Sequence, residues 1–319
     1  MDELDRLLAD ALHDAASRAP SDAGLLGTVR ERSRRYRRRQ AAALGAVAVL
    51  AAGIPFVVVL AAGPRSSAPL EPVGSSPVAS ASARPASLQL VAGYTAPVFP
   101  YTLPASAGLK APATSMRDGN LIALFEATEQ KHHADITVTV STRKPAFSTA
   151  AAETPIRVRG HAGFLRTVDV QPARQYTLYW PESAGRWIQL ATDDTYTIGQ
   201  VVGLAAALSP ASIAVPPPFT LDLAPAGLPV DTVTDSTVSF GGDFRTVLRK
   251  RRPLSNPDRT VGGYRASLVH SSGRVTLDVD VTDWNATLEI TVGAGRTITD
   301  ADLLRYAAGV HILNRSNPS

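Results

Sequence analysis

Hydrophobic and polar positions change rhythm several times along this chain, and each rhythm predicts a different element. Over residues 2–16, Leu4, Leu8, Leu12 and Ala15 recur at helical spacing, with Leu7 and Ala11 beside them, and predict an amphipathic helix. Asp2, Glu3 and Asp5 suit its positive N-terminal end, and Ala19-Pro20-Ser21-Asp22 breaks it. A second short helix is expected from about Ala23 into a run of arginines. So short a segment has no sizeable core of its own. The face made by Leu4, Leu8 and Leu12 either docks on a cytoplasmic protein or lies along a membrane.

From Ala41 to Ala62 the polar positions stop, and 22 residues pass without a charge. A helix of that length rises roughly 33 Å, enough for a hydrocarbon core of about 30 Å, so residues 41–62 predict one transmembrane helix. Residues 63–97 are rich in Pro, Ser and Ala and poor in large apolar side chains, the composition of a semi-extended tether.

Beyond Phe99 the period falls to two. Ile136, Val138 and Val140 alternate with polar residues, as do Val275, Leu277, Val279 and Val281, and Tyr176, Leu178 and Trp180. The segment also repeats itself. Tyr101-Thr102-Leu103 returns as Phe219-Thr220-Leu221, and Val158-Arg159-Gly160-His161 as Val261-Gly262-Gly263-Tyr264. Ile188 and Leu190 match Ile290 and Val292, while Thr197-x-x-Gln200 and Thr299-x-x-Asp302 each open a closing helix with a capping hydroxyl. Lys144 to Pro155, with its two prolines, reads as a loop inserted in the first copy. Strands first and a helix last predict an α+β class. It comprises an N-terminal cytoplasmic helix (1–40), the transmembrane helix (41–62), the tether (63–97) and two tandem antiparallel-sheet-plus-helix domains, 98–210 and 217–314.

Charge then orients the chain. Arg30, Arg32, Arg34, Arg35, Arg37, Arg38 and Arg39 form a basic cluster on the N-terminal flank of the apolar run. Positive charge stays inside, so residues 1–40 are expected in the cytoplasm and 63–319 outside it, in a single-pass protein of the cell membrane. A cleavable signal peptide is the rival, but its apolar region is normally about 7–15 residues. Ser33-Arg34-Arg35 hints at a twin-arginine signal, yet arginines follow where such a signal turns apolar. The net charge of +4 is not a nucleic-acid signature, because the arginines stand beside no recognition-helix pattern. Their expected partner is the lipid bilayer.

With no cysteine, disulfides are excluded and a zinc site would need His and carboxylates alone. No G-x-S-x-G elbow, P-loop, H-E-x-x-H or dinucleotide glycine run occurs. Lys131-His132-His133-Ala134-Asp135 is the densest set of ligand-type residues, but on a strand its histidines would face opposite ways. Trp180, Trp187 and Trp284 either fill core or line a groove. No catalytic residue, cofactor or metal is expected, and the chain reads as non-enzymatic.

An acidic N-terminal helix, an arginine cluster, an Ala/Val-rich span and a Pro/Ser tether resemble single-pass proteins of high-GC Gram-positive bacteria, several of them anti-sigma factors in layout. The chain lacks the histidine-plus-C-x-x-C zinc pattern common there. The two outer units are similar to an extracytoplasmic domain of unknown function, likened in fold to lipoprotein-carrier sheets that hold an acyl chain. These resemblances imply a membrane-anchored extracytoplasmic sensor or regulator, linked to sigma-factor signalling, with an unknown envelope ligand. The alternative is an anchored envelope module that binds lipid or cell-wall material.

Overall fold

Ile136, Val138 and Val140 turn one way into a core, while Thr137, Thr139 and Ser141 turn the other, so that period-two alternation becomes a half-buried strand. The same logic holds from Arg274 to Val281. The computed structural model describes residues 86–129, 132–170 and 173–319. The helix expected over 2–16, the arginine cluster, residues 41–62 and most of 63–97 lie outside the described residues.

The chain enters through β1 (Ala86–Ser87) and β2 (Leu90–Ala92), then β3 (Val98–Thr102). A first unit follows: β4 (Ala113–Arg117), β5 (Asn120–Phe125), β6 (Ile136–Ser141), β7 (Ala152–Val158), β8 (His161–Val170), β9 (Ala173–Ser183) and β10 (Arg186–Asp193). It closes with helix α1 (Ile198–Ala206) and β11 (Ser209–Ala214). After β12 (Phe219–Leu221) and β13 (Leu223–Pro225), a second unit runs β14 (Val230–Val233), β15 (Thr237–Phe240), β16 (Phe244–Lys250), β17 (Arg259–Val261), β18 (Tyr264–Ser271), β19 (Arg274–Val281) and β20 (Ala286–Val292). It closes with β21 (Arg296–Thr297), α2 (Asp300–Ala308) and β22 (Val310–Ile312).

All fourteen strands from the two units form one antiparallel sheet, ordered β17-β18-β19-β20-β16-β15-β14-β4-β5-β6-β10-β9-β8-β7. Read outward from its middle, the order is the same on both sides. The seam is β14 against β4, where Val233 faces Met116 and the Gly119 N–H donates to the Asp231 carbonyl at 2.8 Å. One helix covers the same face of each half, and a two-stranded ribbon, β3–β11 or β12–β22, closes each.

This corrects the expected α+β class. The described fold is mostly β, and the two sheets expected to be separate are one, because β4 and β14 meet edge to edge at a short pairing centred on Val233 and Met116. Each helix has nine residues, and among the described residues no helix is long and apolar enough to cross a membrane. The described fold therefore gives no support to the expected transmembrane, single-pass character. The end of the tether is also not free. β1 runs parallel to β21, β2 pairs with β13, and Leu88 is buried in the second core.

Two details of the repeat change as well. Ten residues separate β5 from β6, against three between β15 and β16, so the larger insertion is at 126–135, with a smaller one in the stretch that holds Lys144–Pro155. Ala152–Pro155 instead belongs to strand β7. Register also moves one match. The buried row Leu165–Leu178–Leu190–Val138–Ala123 corresponds to Leu268–Leu277–Ile290–Thr246–Val238. Leu190 is therefore equivalent to Ile290, not Val292, because two extra residues precede α2. The β7–β8 and β17–β18 turns do coincide: Arg159-Gly160 and Gly262-Gly263 all have positive φ, the two-residue hairpin geometry that favours glycine.

Candidate functional site

The face turned away from the helices is where the two halves differ. In the first unit one row across it reads Phe164, Tyr179, Gln189, Thr139, Ile122. The equivalent row of the second reads Ser267, Asp278, Glu289, Val247, Thr237. Tyr179 on one scaffold has become Asp278 on the other, Phe164 has become Ser267, and Gln189 has become Glu289. Phe164 stacks on Tyr179 with centroids 5.5 Å apart, and Tyr179 stands 6.4 Å from Trp187. Inner positions face a core that constrains them, whereas the outer row varies in chemistry, although Tyr179, Ser267, Val247 and Thr237 within it are themselves buried.

Both outer faces receive a cation from the loop that crosses from the sheet's middle to its edge. In the first unit Lys144 Nζ lies 5.0 Å from the Phe164 ring centroid and 5.7 Å from that of Tyr179, within cation–π range. In the second, Arg252 reaches Asp278 Oδ1 at 2.8 Å and Glu289 Oε2 at 2.7 Å. These are corresponding places, with the cation's partner changed from ring to carboxylate. Arg249 forks onto Glu289 at 2.9 and 2.7 Å, and Arg251 forks onto Asp280 at 2.7 and 2.9 Å. The Arg252 N–H donates to Thr287 Oγ1 at 3.0 Å, and Ser267 Oγ donates to the Ser255 carbonyl at 2.7 Å. Loop 251–258 is thus clasped to the sheet at several points.

The charges tune one another. Burial pushes the Glu289 carboxyl up, but the hydrogen bond and charge of Arg249, joined by Arg252, outweigh it and hold the group below its ordinary value. The hydrogen bond from Arg251 holds Asp280 below its own. Carboxylates with depressed folded-state pKa values stabilise the fold above their unfolded pKa of about 4, and that contribution is lost as pH falls through the lower folded values. The clasp should therefore open below about pH 4. Hydrogen-exchange protection of the Arg252 amide, corrected for intrinsic rate, should drop there while the β19–β20 ladder stays protected. Unchanged Arg252 protection down to pH 2 would contradict this account.

Beside the clasp lies an open groove of about 810 Å³. Lys250, the Arg251–Asp280 pair, Trp284, Asn285 and Asn317 line it. Trp284 ends a single 3₁₀ turn, packs partly on the second core and is followed by Asn285 in the left-handed conformation. The Tyr264 hydroxyl donates to Asp283 at 2.6 Å and fixes that turn. The far wall is the C-terminal tail, where Ser319 N–H donates to the Leu248 carbonyl at 3.0 Å.

The residues singled out in the sequence fall in varied places. Leu4, Leu8 and Leu12 and the arginines from Arg30 to Arg39 lie outside the described residues. His133 packs against Gly108 and 6.3 Å from the Tyr196 ring, while Asp135 accepts the Ala127 N–H at 3.0 Å, so these side chains serve the 126–135 loop and do not converge. His270 pairs with Asp300 at 3.1 Å. Trp180 is core, Trp187 is on the outer face, and Trp284 is at the groove. The clasp residues were not singled out by sequence reasoning; the one signal was Lys250-Arg251-Arg252 opposite the alternating acids Asp278 and Asp280. In both units the layer between sheet and helix is filled, by Trp180 and Tyr196 in the first and by Phe244 and Tyr306 in the second.

Compared with protein-family models, with curated proteins and with solved structures, the chain finds no match in any of the three.

Proposed function

We propose that this protein is a non-enzymatic sensor or regulator of the cell envelope, and that the duplicated β module meets its ligand outside the cytoplasm. One observation carries the binding role: two halves of the same strand order keep apolar inner faces while their outer faces diverge, one aromatic and one charged with a clasped groove. Stability alone needs no such divergence. Because side chains fill the interlayer, the ligand is met on the outer surface and not within the core. Placement outside rests on the arginine asymmetry of residues 30–63. The inward link, through Leu4, Leu8 and Leu12 to a cytoplasmic protein such as a sigma factor, rests on the layout of residues 1–97.

Two measurements test this. A phosphatase-type reporter fused after Ser319 should be active and one fused near Asp22 inactive; the reverse pattern would sink the orientation. An unfractionated envelope extract should raise the thermal midpoint of the full-length protein, since a ligand that binds only the native state stabilises it by mass action. No shift with any envelope material would remove the binding role.

A further inference from the structure

We infer that the groove beside loop 251–258 is a glycan site, taking a stretch of neutral or weakly ionic polysaccharide; this rests on the binding role just proposed. A pyranose ring presents two kinds of surface. Its C–H face is apolar and packs on a planar aromatic ring, and its vicinal hydroxyls match side chains that offer two polar atoms in a fork. The groove supplies both. Trp284 is held at its edge by the 3₁₀ turn and by the Tyr264–Asp283 hydrogen bond. Asn285 and Asn317 supply two exposed carboxamides, each with a donor and an acceptor side by side, next to the Arg251–Asp280 pair, whose forks are closed on each other.

Charge balance selects among ligand classes. Of the groove's lining, Lys250, Arg251 and Arg252 are cations and Asp280 is the carboxylate; Arg251 is paired with Asp280, and Arg252 with Asp278 and Glu289 behind it, the latter held by Arg249 as well. Lys250 is then the lining cation without an ion pair among the described residues, which suits a chain that carries little negative charge and offers a polyanion no continuous basic track. A hydroxyl-rich chain meets ion pairs that are already formed, so docking strands neither partner of a pair in a dry place. The groove is open to solvent, so a polymer can reach it without threading. The first unit has no counterpart: its β9–β10 turn carries Ala184 and Gly185 where the second carries Trp284 and Asn285.

The test is co-sedimentation of the full-length protein with purified peptidoglycan sacculi and its competition by chitohexaose, with polyphosphate and phosphatidylglycerol vesicles as comparators. Wild type should bind sacculi and be displaced by the soluble oligosaccharide. Trp284→Ala should weaken binding at least tenfold. Asn317→Ala, an exposed change that leaves the core untouched, should weaken it several-fold and guards against misfolding of the tryptophan variant. Lys110→Ala, remote in the first unit, should bind as wild type. Equal binding by wild type and both groove variants would overturn the site. Binding to vesicles or polyphosphate but to neither glycan would overturn the ligand class while leaving the binding role intact. Loss of every interaction, the envelope extract included, would overturn both.

Discussion

Replacing Trp180 with alanine should lower the stability of the folded state by about 4 kcal/mol, read as a fall in denaturant midpoint at unchanged slope. Trp180 is fully buried, and its indole N–H donates to Glu182 Oε2 at 2.7 Å. Glu182 in turn holds Arg159 at 3.1 Å, whose guanidinium donates to the Leu208 carbonyl just past the end of α1. Truncation therefore leaves a cavity and removes a donor from a half-buried carboxylate. The second unit shows how the volume is shared. Val279 occupies the place of Trp180, and its cross-strand partner Ala266 occupies that of Gly163. A Cβ on Gly163 would lie 2.9 Å from the Tyr179 carbonyl oxygen and 3.0 Å from Trp180 Cβ. Gly163→Ala alone should thus cost about 1–3 kcal/mol through overpacking. Trp180→Val keeps both of those atoms, so the double change should cost close to the two single changes added together. A double variant much less destabilised than that sum would show that the indole itself crowds Gly163, and a loss below about 1 kcal/mol for Trp180→Ala would contradict its place in the core.

Thr246→Val and Tyr306→Phe should each destabilise the protein by about 1–3 kcal/mol, whereas the double variant should cost little more than either alone. The two hydroxyls meet at 2.8 Å deep in the second core, with Thr246 and Tyr306 essentially unexposed. Each single change leaves one polar group dry and without its partner; the double change removes both. The first unit shows that the fold needs neither, since Val138 sits at the place of Thr246 and Leu204 at that of Tyr306. Burial pushes the Tyr306 phenol far above its ordinary value, and it pushes nearby Tyr94 up to about 12. Both rings therefore stay neutral, and the coupling should be flat from pH 5 to 9. A double-mutant cycle whose effects simply add would mean that the 2.8 Å pair makes no shared contribution.

Local features were legible in the residues. Alternation marked β6 and β19, and Thr197 and Thr299 do cap α1 and α2, with Gln200 completing the reciprocal pair at the first. Each of these depends on side chains within a few positions of one another. Positive φ at Gly160 and Gly263 likewise follows from a two-residue turn. Lys144–Pro155 came out mixed: residues 144–151 are loop as expected, but Ala152–Pro155 is strand. Prolines and small residues look like loop, yet exposed edge strand β7 tolerates Pro155, because one side of an edge strand needs no ladder hydrogen bond.

By itself, then, the sequence determined where strands alternate, where the hairpins turn and how the two helices begin, because periodicity and capping act over a few residues. Only the tertiary structure decided that β4 and β14 join two half-sheets into one, that residues 86–92 pair with the second unit, and that Arg252 meets Asp278 and Glu289. Those outcomes depend on strand order and register, which bring together residues 26 and 37 positions apart at the clasp and 60 at the Thr246–Tyr306 pair. A slip of one residue in β16, β19 or β20 would send Thr246, Asp278 or Glu289 to the opposite face, so no local pattern could have specified the partners.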